Sequence, residues 1–186
     1  MMLLSLSWDL FIVVFFAVVM SYSFLIGKDR STKLIVAAYI AMIATLGIGN
    51  ILTRLIGDGD AVFRSVGIPL DITLISLAKI FAFAICLIIF VTKSGIELTH
   101  TKDTGTVLSI LITALFGFSL SGLIVSTILS YAAGGGIGQV TVAVTSNVLT
   151  PLIQSSMLLQ LLTVNQDIWF TLPAFLIVAV GLTQND

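Results

Sequence analysis

The chain has 186 residues, of which 58 % are hydrophobic and 9 % are charged, and its formal net charge is −1. Soluble domains carry roughly 25 % charged residues, so this composition excludes an ordinary water-soluble fold and a large soluble catalytic domain. The chain offers no basic surface, which argues against nucleic acid as a partner. The lipid bilayer is therefore the expected partner of most of the chain.

Five apolar runs predict membrane-spanning helices. A helix needs about 20 apolar residues to cross roughly 30 Å of hydrocarbon. The first four runs reach that length, whereas the fifth is shorter and contains Pro173. The predicted fold class is therefore all-α, an integral membrane helical bundle of four to five transmembrane helices in a single domain over 1–186. The predicted spans cover residues of about 8–27, 34–56, 72–92, 107–130 and 168–182.

The polar segments between these runs are expected to form short loops, and they hold most of the basic residues. Residues 28–33 contain three Lys or Arg residues and residues 93–103 contain two, whereas residues 131–167 contain none. The positive-inside rule places the two basic segments in the cytoplasm. The N-terminus and residues 131–167 are then predicted to face the outside.

Residues 137–163 are predicted to form an outer amphipathic segment after a glycine-rich hinge. Thr150 is placed to cap a helix that Pro151 opens. Such a helix either lies on the outer membrane surface or dips into the bilayer as a re-entrant segment, and both arrangements stay open. Its apolar side would carry Leu152, Ile153, Met157, Leu158, Leu161 and Leu162, opposite Gln154, Ser155 and Gln160.

Small side chains recur at helical spacing in the second and fourth spans and predict close helix packing. The same hydroxyls are also candidates to line a polar pathway, although Ser and Thr in helices usually bond their own backbone. The residues predicted to pack helices are Ala37, Ala41, Thr45 and Gly49 in the second span, and Gly117, Ser121, Gly122 and Ser126 in the fourth.

Charges inside the predicted spans are informative, because a charge near the bilayer centre costs at least about 2.5 kcal/mol on insertion scales, and Asp9 and Lys79 are the two candidates. The predicted topology places both in the outer half of the bilayer, on the same side as Asn50 and Arg54. One hypothesis is that these four residues form a single intramembrane polar cluster. In the alternative, Asp9 reaches water and Lys79 extends along its own stem to the interface. Arg54 then pairs with Asp58 one turn on.

Few residues in the chain are suited to catalysis or metal binding. There is one cysteine, Cys86, and one histidine, His100, so a Cys-based metal site and an internal disulfide are ruled out. The G-x-G-D pattern at residues 57–60 is typical of intramembrane aspartyl proteases, but no second aspartate lies at mid-membrane to share a proton with it. We therefore expect no enzymatic activity, no cofactor and no metal site.

The opening of the chain combines an acidic residue in the first span with a glycine and basic residues just after that span. Residues 8–13 (WDLFIV) and 27–30 (GKDR) carry this pattern. In this respect the chain resembles colicin V production family proteins, and it is also similar to small uncharacterised bacterial polytopic membrane proteins. The resemblance implies a multi-pass protein of the prokaryotic inner membrane, linked to secretion or envelope physiology. It implies no catalytic residues.

Together these observations predict a non-enzymatic polytopic inner-membrane protein, an envelope or secretion-associated assembly component. It would bind further copies of itself or other membrane proteins through its stripes of small residues. The alternative is a small-solute or ion transporter or channel. Its path would follow Asn50, Arg54, Lys79 and the hydroxyls of the fourth span.

Overall fold

The computed structural model describes residues 8–65, 72–93, 106–132 and 156–183. Within these ranges the chain is helical apart from single capping residues, and no strand is present, which confirms the predicted all-α fold class. The helices are α1 (Trp8–Ser65), α2 (Ile72–Lys93), α3 (Thr106–Ala132), α4 (Met157–Val164) and α5 (Gln166–Thr183).

Helix α1 is interrupted at one residue, Gly27, whose φ of 79° and ψ of 175° lie in a region that is essentially restricted to glycine. Across this break the Ser31 hydroxyl donates to the Ser23 carbonyl oxygen at 3.4 Å. A continuous helix would separate residues eight apart by about 12 Å along its axis. The chain therefore bends sharply at Gly27 into two helical parts, here called the first arm (8–26) and the second arm (28–65).

The two arms reach the same end of α3. Ile12 of the first arm belongs to a buried cluster against which Leu129 of α3 packs. On the second arm, the Met42 sulfur accepts a hydrogen bond from the Thr127 hydroxyl at 3.2 Å. Ile12 and Met42 are both about fifteen residues from Gly27, so arms that reach the same level of α3 must run side by side. Helix α1 is therefore a helical hairpin.

The prediction of a loop at residues 28–33 was wrong, because helical structure continues through this polar segment. Ser31 and Thr32 are buried there, and the Thr32 hydroxyl donates to the Lys28 carbonyl oxygen at 2.9 Å. A single glycine with positive φ is enough to turn the chain, so the polar residues after it can begin the second arm.

In the described part of the chain, three helices are long and apolar enough to cross a membrane: α1 over Trp8–Leu55, α2 over Ser76–Lys93 and α3 over Val107–Ala132. Helices α4 and α5 reach that length only together, and they are bent by 67° at their junction. The first arm of α1 measures about 28 Å, close to the hydrocarbon thickness of a bilayer. Several apolar helices of this length are typical of a membrane protein, and the reversal at Gly27 divides the long candidate span in α1 into two arms.

The predicted spans fall on these helices. Spans 8–27 and 34–56 lie on the two arms, and 72–92 and 107–130 coincide with α2 and α3. The span 168–182 lies within α5, which stays helical through Pro173. The core forms where the second arm, α2, α3 and α5 meet. Its buried members are Ile35, Ala38, Ala41, Met42, Phe83, Ile112, Phe116, Leu120, Leu123, Tyr131 and Val180.

Replacing Gly27 with alanine tests the reversal. Gly27→Ala should lower the free energy of unfolding by about 1 to 3 kcal/mol, because alanine must adopt a backbone conformation that only glycine occupies cheaply. There is open space around the position, so the cost is conformational and not a clash. Unfolding in mixed micelles with increasing dodecyl sulfate, followed by circular dichroism, measures it.

Gly47→Ala is the matched control. Gly47 is helical and also has open space where a side chain would begin. Alanine there should leave stability unchanged or raise it by up to about 1 kcal/mol through helix propensity. Equal effects of the two substitutions would contradict the special role of Gly27.

Candidate functional site at the broken helix

Helices α4 and α5 form a broken pair on one side of the bundle. Helix α4 has eight residues and ends at Val164, with Asn165 as its C-cap, and α5 follows at once at an angle of 67°. Isolated helices shorter than about 12 residues are marginal even for favourable sequences. Helix α4 must therefore be held in place by contacts with the rest of the bundle.

Asp9 supplies the main polar contact to α4. Its Oδ1 atom accepts hydrogen bonds from the Ser156 hydroxyl at 2.6 Å and from the Leu158 amide at 3.0 Å. The Ser156 oxygen in turn accepts from the Leu159 amide at 3.1 Å, as a helix N-cap does. Two amides at the start of α4 that have no partner inside the helix are thus satisfied, and the carboxylate meets the positive end of the helix dipole.

Asp9 and Lys79, which were predicted to share a cluster, have different contacts in the described structure. Among the residues that the structure describes, there is no ion pair between them, because the carboxylate is occupied at the start of α4. The Lys79 stem instead crosses Gly49, where an added methyl group would meet its Cε atom at 2.7 Å. Asn50 and Arg54 lie on the same arm and are exposed. The predicted four-residue cluster is thus divided between two places.

Part of the predicted outer segment lies outside the described residues. Thr150, Pro151 and the residues up to 155 belong to that part, and so does the side chain of Asp58, the alternative partner of Arg54. The described cap of α4 is Ser156.

The predicted apolar side of α4 is only partly buried. Leu159 and Leu162 are buried, whereas Met157 and Leu161, which were assigned to the apolar side, are exposed. Periodicity finds the face that avoids polar residues. In hydrocarbon the face of a helix that points to lipid can also be apolar. The apolar face found by periodicity therefore need not be the face that is buried against the protein.

Gln166 fixes the junction between the two helices to α3. It is buried at the first position of α5, and its side-chain amide donates to the Ser130 hydroxyl near the end of α3. Ser130 in turn donates to the Ser126 carbonyl oxygen at 2.9 Å. The bend is therefore anchored by a short chain of hydrogen bonds and not by loop residues.

Tyr39 of the second arm stabilises α5 at its proline. Pro173 lacks a backbone N–H and disturbs the hydrogen-bond ladder of a helix. The Tyr39 hydroxyl donates to the Phe170 carbonyl oxygen at 2.5 Å and also faces the Ala174 amide. A hydroxyl inserted there satisfies backbone groups that the proline region would otherwise leave to the lipid.

The stripes of small residues are buried between helices of the same chain. A methyl group on Gly122 would overlap the indole ring of Trp169, and one on Gly117 would meet the Ser23 Cβ atom at 2.9 Å. The hydroxyls of α3 bond their own backbone, for example Ser121 to the Gly117 carbonyl oxygen at 2.7 Å. The remaining members of the stripes are also buried, namely Ala37, Ala41, Thr45 and Ser126.

An apolar cavity of about 360 Å³ opens beside α4. Trp169 forms part of its wall; it is nine-tenths buried, and its indole N–H has no hydrogen-bond partner within the described ranges. A cavity lined by such side chains accepts hydrocarbon. The wall also includes Ile12, Phe16, Met20, Phe118, Leu158, Leu161 and Leu162.

The described side chains offer little to a metal ion. No group of three or more His, Cys, Asp or Glu residues gathers within the described ranges. Comparisons with family models, with curated proteins and with solved structures found no match to this chain. The resemblance to colicin V production proteins therefore stays a prediction.

Sequence reasoning singled out Asp9 but missed its partner and the other residues that hold the broken pair. The missed residues are Tyr39, Ser156, Gln166 and Trp169. For Ser156 a signal was available, since a serine directly before the apolar run 157–164 is a typical N-cap.

A double-mutant cycle tests the contact between Asp9 and α4. Ser156→Ala should lower the free energy of unfolding by about 1 kcal/mol, the usual cost of losing an N-cap. Asp9→Ala should destabilise the wild-type chain more than it destabilises Ser156→Ala, because the two side chains share a hydrogen bond. Unfolding in mixed micelles measures all four chains.

Asp167→Ala is the matched control, since Asp167 lies in the first turn of α5 and is exposed. Its effect should be smaller than that of Asp9→Ala. Additive effects of Asp9→Ala and Ser156→Ala would show that the contact contributes nothing to the fold.

Proposed function

We propose that the chain is a non-enzymatic polytopic protein of the inner membrane that acts as an assembly component of the cell envelope or of a secretion system. One observation carries this proposal. The small-residue stripes, which would line a path through the bundle, are filled by neighbours: Trp169 covers Gly122, and Ser23 packs on Gly117. The interior of one chain is thus devoted to packing, which favours a role exerted from its outer surface.

The positions of the basic residues support one orientation of the chain across the membrane. Lys28, Arg30 and Lys33 follow the reversal at Gly27, and Lys93 ends α2. These basic residues lie at the same end of the bundle, because Val91 of α2 and Arg30 line one cavity. By the positive-inside rule that end faces the cytoplasm, and Asp9 and α4 then face the outside.

The stripes of small residues cannot supply the contact with a partner, since they are covered within the chain. Large apolar side chains remain exposed on α2 at helical spacing, and they are available to lipid or to another helix. These residues are Leu77, Phe81, Ile85, Ile88 and Ile89.

The mass of the protein in native-lipid nanodiscs tests the proposed assembly. The chain alone weighs 19.8 kDa. An assembly component should be recovered at the mass of two or more chains, or of one chain with a partner in fixed ratio. Extraction at native expression level as single chains alone would contradict the proposal.

A transporter is the second candidate, and the break between α4 and α5 favours it. Discontinuous helices supply binding sites in many transporters. In that case Lys79 would face water or substrate, whereas the proposed assembly component keeps its stem against Gly49. A Lys79→Cys variant in a Cys86→Ser background distinguishes the two, with exposed Arg54→Cys as the control for reagent access. Labelling of position 79 from outside at the rate of position 54 would favour transport.

A further inference from the structure

A second cavity lies at the basic end of the bundle, beside the reversal at Gly27. Its volume is about 310 Å³, and it is formed by both arms of α1 together with the last turns of α2. Its wall combines polar and apolar residues. The polar residues are Tyr22, Arg30 and Lys33, and the apolar residues are Ile26, Leu34 and Val91.

The polar residues that line this cavity are suited to binding an anion. Arg30 and Tyr22 are exposed, and within the described ranges neither the guanidinium nor the phenol has a hydrogen-bond or salt-bridge partner. Lys33 adds a second positive charge to the same wall. Residues 28–33 contain three basic residues and one acidic residue, Asp29, so the local charge is positive. An arginine fork and a phenolic O–H are both donors that phosphate oxygens accept.

The apolar residues that line the cavity indicate a lipid and not a soluble anion. Ile26 and Leu34 continue into the apolar arms, and Val91 continues into α2, so hydrocarbon could extend from the cavity along the helices. Basic cavities between helices at the cytoplasmic surface are where anionic head groups bind in other membrane proteins. Tyr22 lines this cavity, and tyrosines are enriched at membrane interfaces.

We propose that this cavity binds the phosphate of an anionic phospholipid, held by Arg30, Lys33 and the Tyr22 hydroxyl, with its acyl chains against Ile26, Leu34 and Val91. The site is separate from the broken helix, and it does not depend on the proposed assembly role. It would fix the depth and the lipid surroundings of the reversal at Gly27.

Lipid titration followed by native mass spectrometry tests the site. The detergent-purified chain is titrated with phosphatidylglycerol and, separately, with phosphatidylcholine. The wild-type chain should bind the anionic lipid at least about fivefold more tightly. Arg30→Gln should weaken that binding about fivefold, and Tyr22→Phe should weaken it about threefold, because a hydrogen bond to phosphate is lost without a change in charge. Phosphatidylcholine binding should not change.

Lys28→Gln is the matched control, since Lys28 belongs to the same basic segment but does not line the cavity. It should change phosphatidylglycerol binding by less than about twofold. Equal losses in Lys28→Gln and Arg30→Gln, together with no effect of Tyr22→Phe, would show general surface attraction and overturn the proposal.

Glycerol phosphate distinguishes the two sources of a phosphate group. It should displace the lipid only weakly, because it lacks acyl chains, and displacement as effective as that by free phosphatidylglycerol would overturn the assignment to a lipid. Circular dichroism checks that each variant is folded. If Arg30→Gln does not fold, Arg30→Lys replaces it. The lysine keeps the charge but loses the planar fork of donors, so phosphatidylglycerol affinity should fall about threefold. A loss no larger than that of Lys28→Gln would overturn the proposal.

Discussion

In hydrocarbon every backbone amide and carbonyl must find its partner within the protein, and this constraint governs each break in the helices of this chain. At Gly27 the chain reverses with one residue, and a serine hydroxyl spans the turn. At the start of α4, Asp9 and Ser156 satisfy the free amides. At the proline of α5, the Tyr39 hydroxyl enters the backbone ladder. Each irregularity is therefore stabilised by a polar side chain, usually from a distant element.

Helix α3 makes this arrangement possible because small residues let its neighbours approach closely. The first arm meets Gly117, and the ring of Trp169 from α5 lies on Gly122. Such contacts rely on van der Waals packing, which is the main attraction between helices in lipid. They also use up the faces that a polar path would need. Within the described ranges, the two cavities and the outer face of α2 remain open to a ligand, to lipid or to a partner.

Hydropathy was sufficient to predict the helical class and the positions of the apolar runs, because bilayer thickness sets their length. The reversal between the first two spans was also predicted, but as a loop over residues 28–33. That Gly27 alone makes the turn was harder to predict, since it is one of 15 glycines and its positive φ leaves no mark in the sequence. Asp9 stood out as a charge in a span, but its partner Ser156 is 147 residues away. Matching charge with charge suggested Lys79, whereas in the structure Asp9 accepts hydrogen bonds from the N-cap hydroxyl of Ser156 and from a backbone amide at a helix start.

Helix α1 folds back on itself at Gly27, and the distance between spin labels on its two arms tests this hairpin. Val13 and Ile43 are both exposed, so Val13→Cys and Ile43→Cys in a Cys86→Ser background accept nitroxide labels. Both positions lie near one end of α3, so double electron–electron resonance in bilayers should give a distance below about 30 Å. A distance near 45 Å, expected for a continuous helix, would contradict the account.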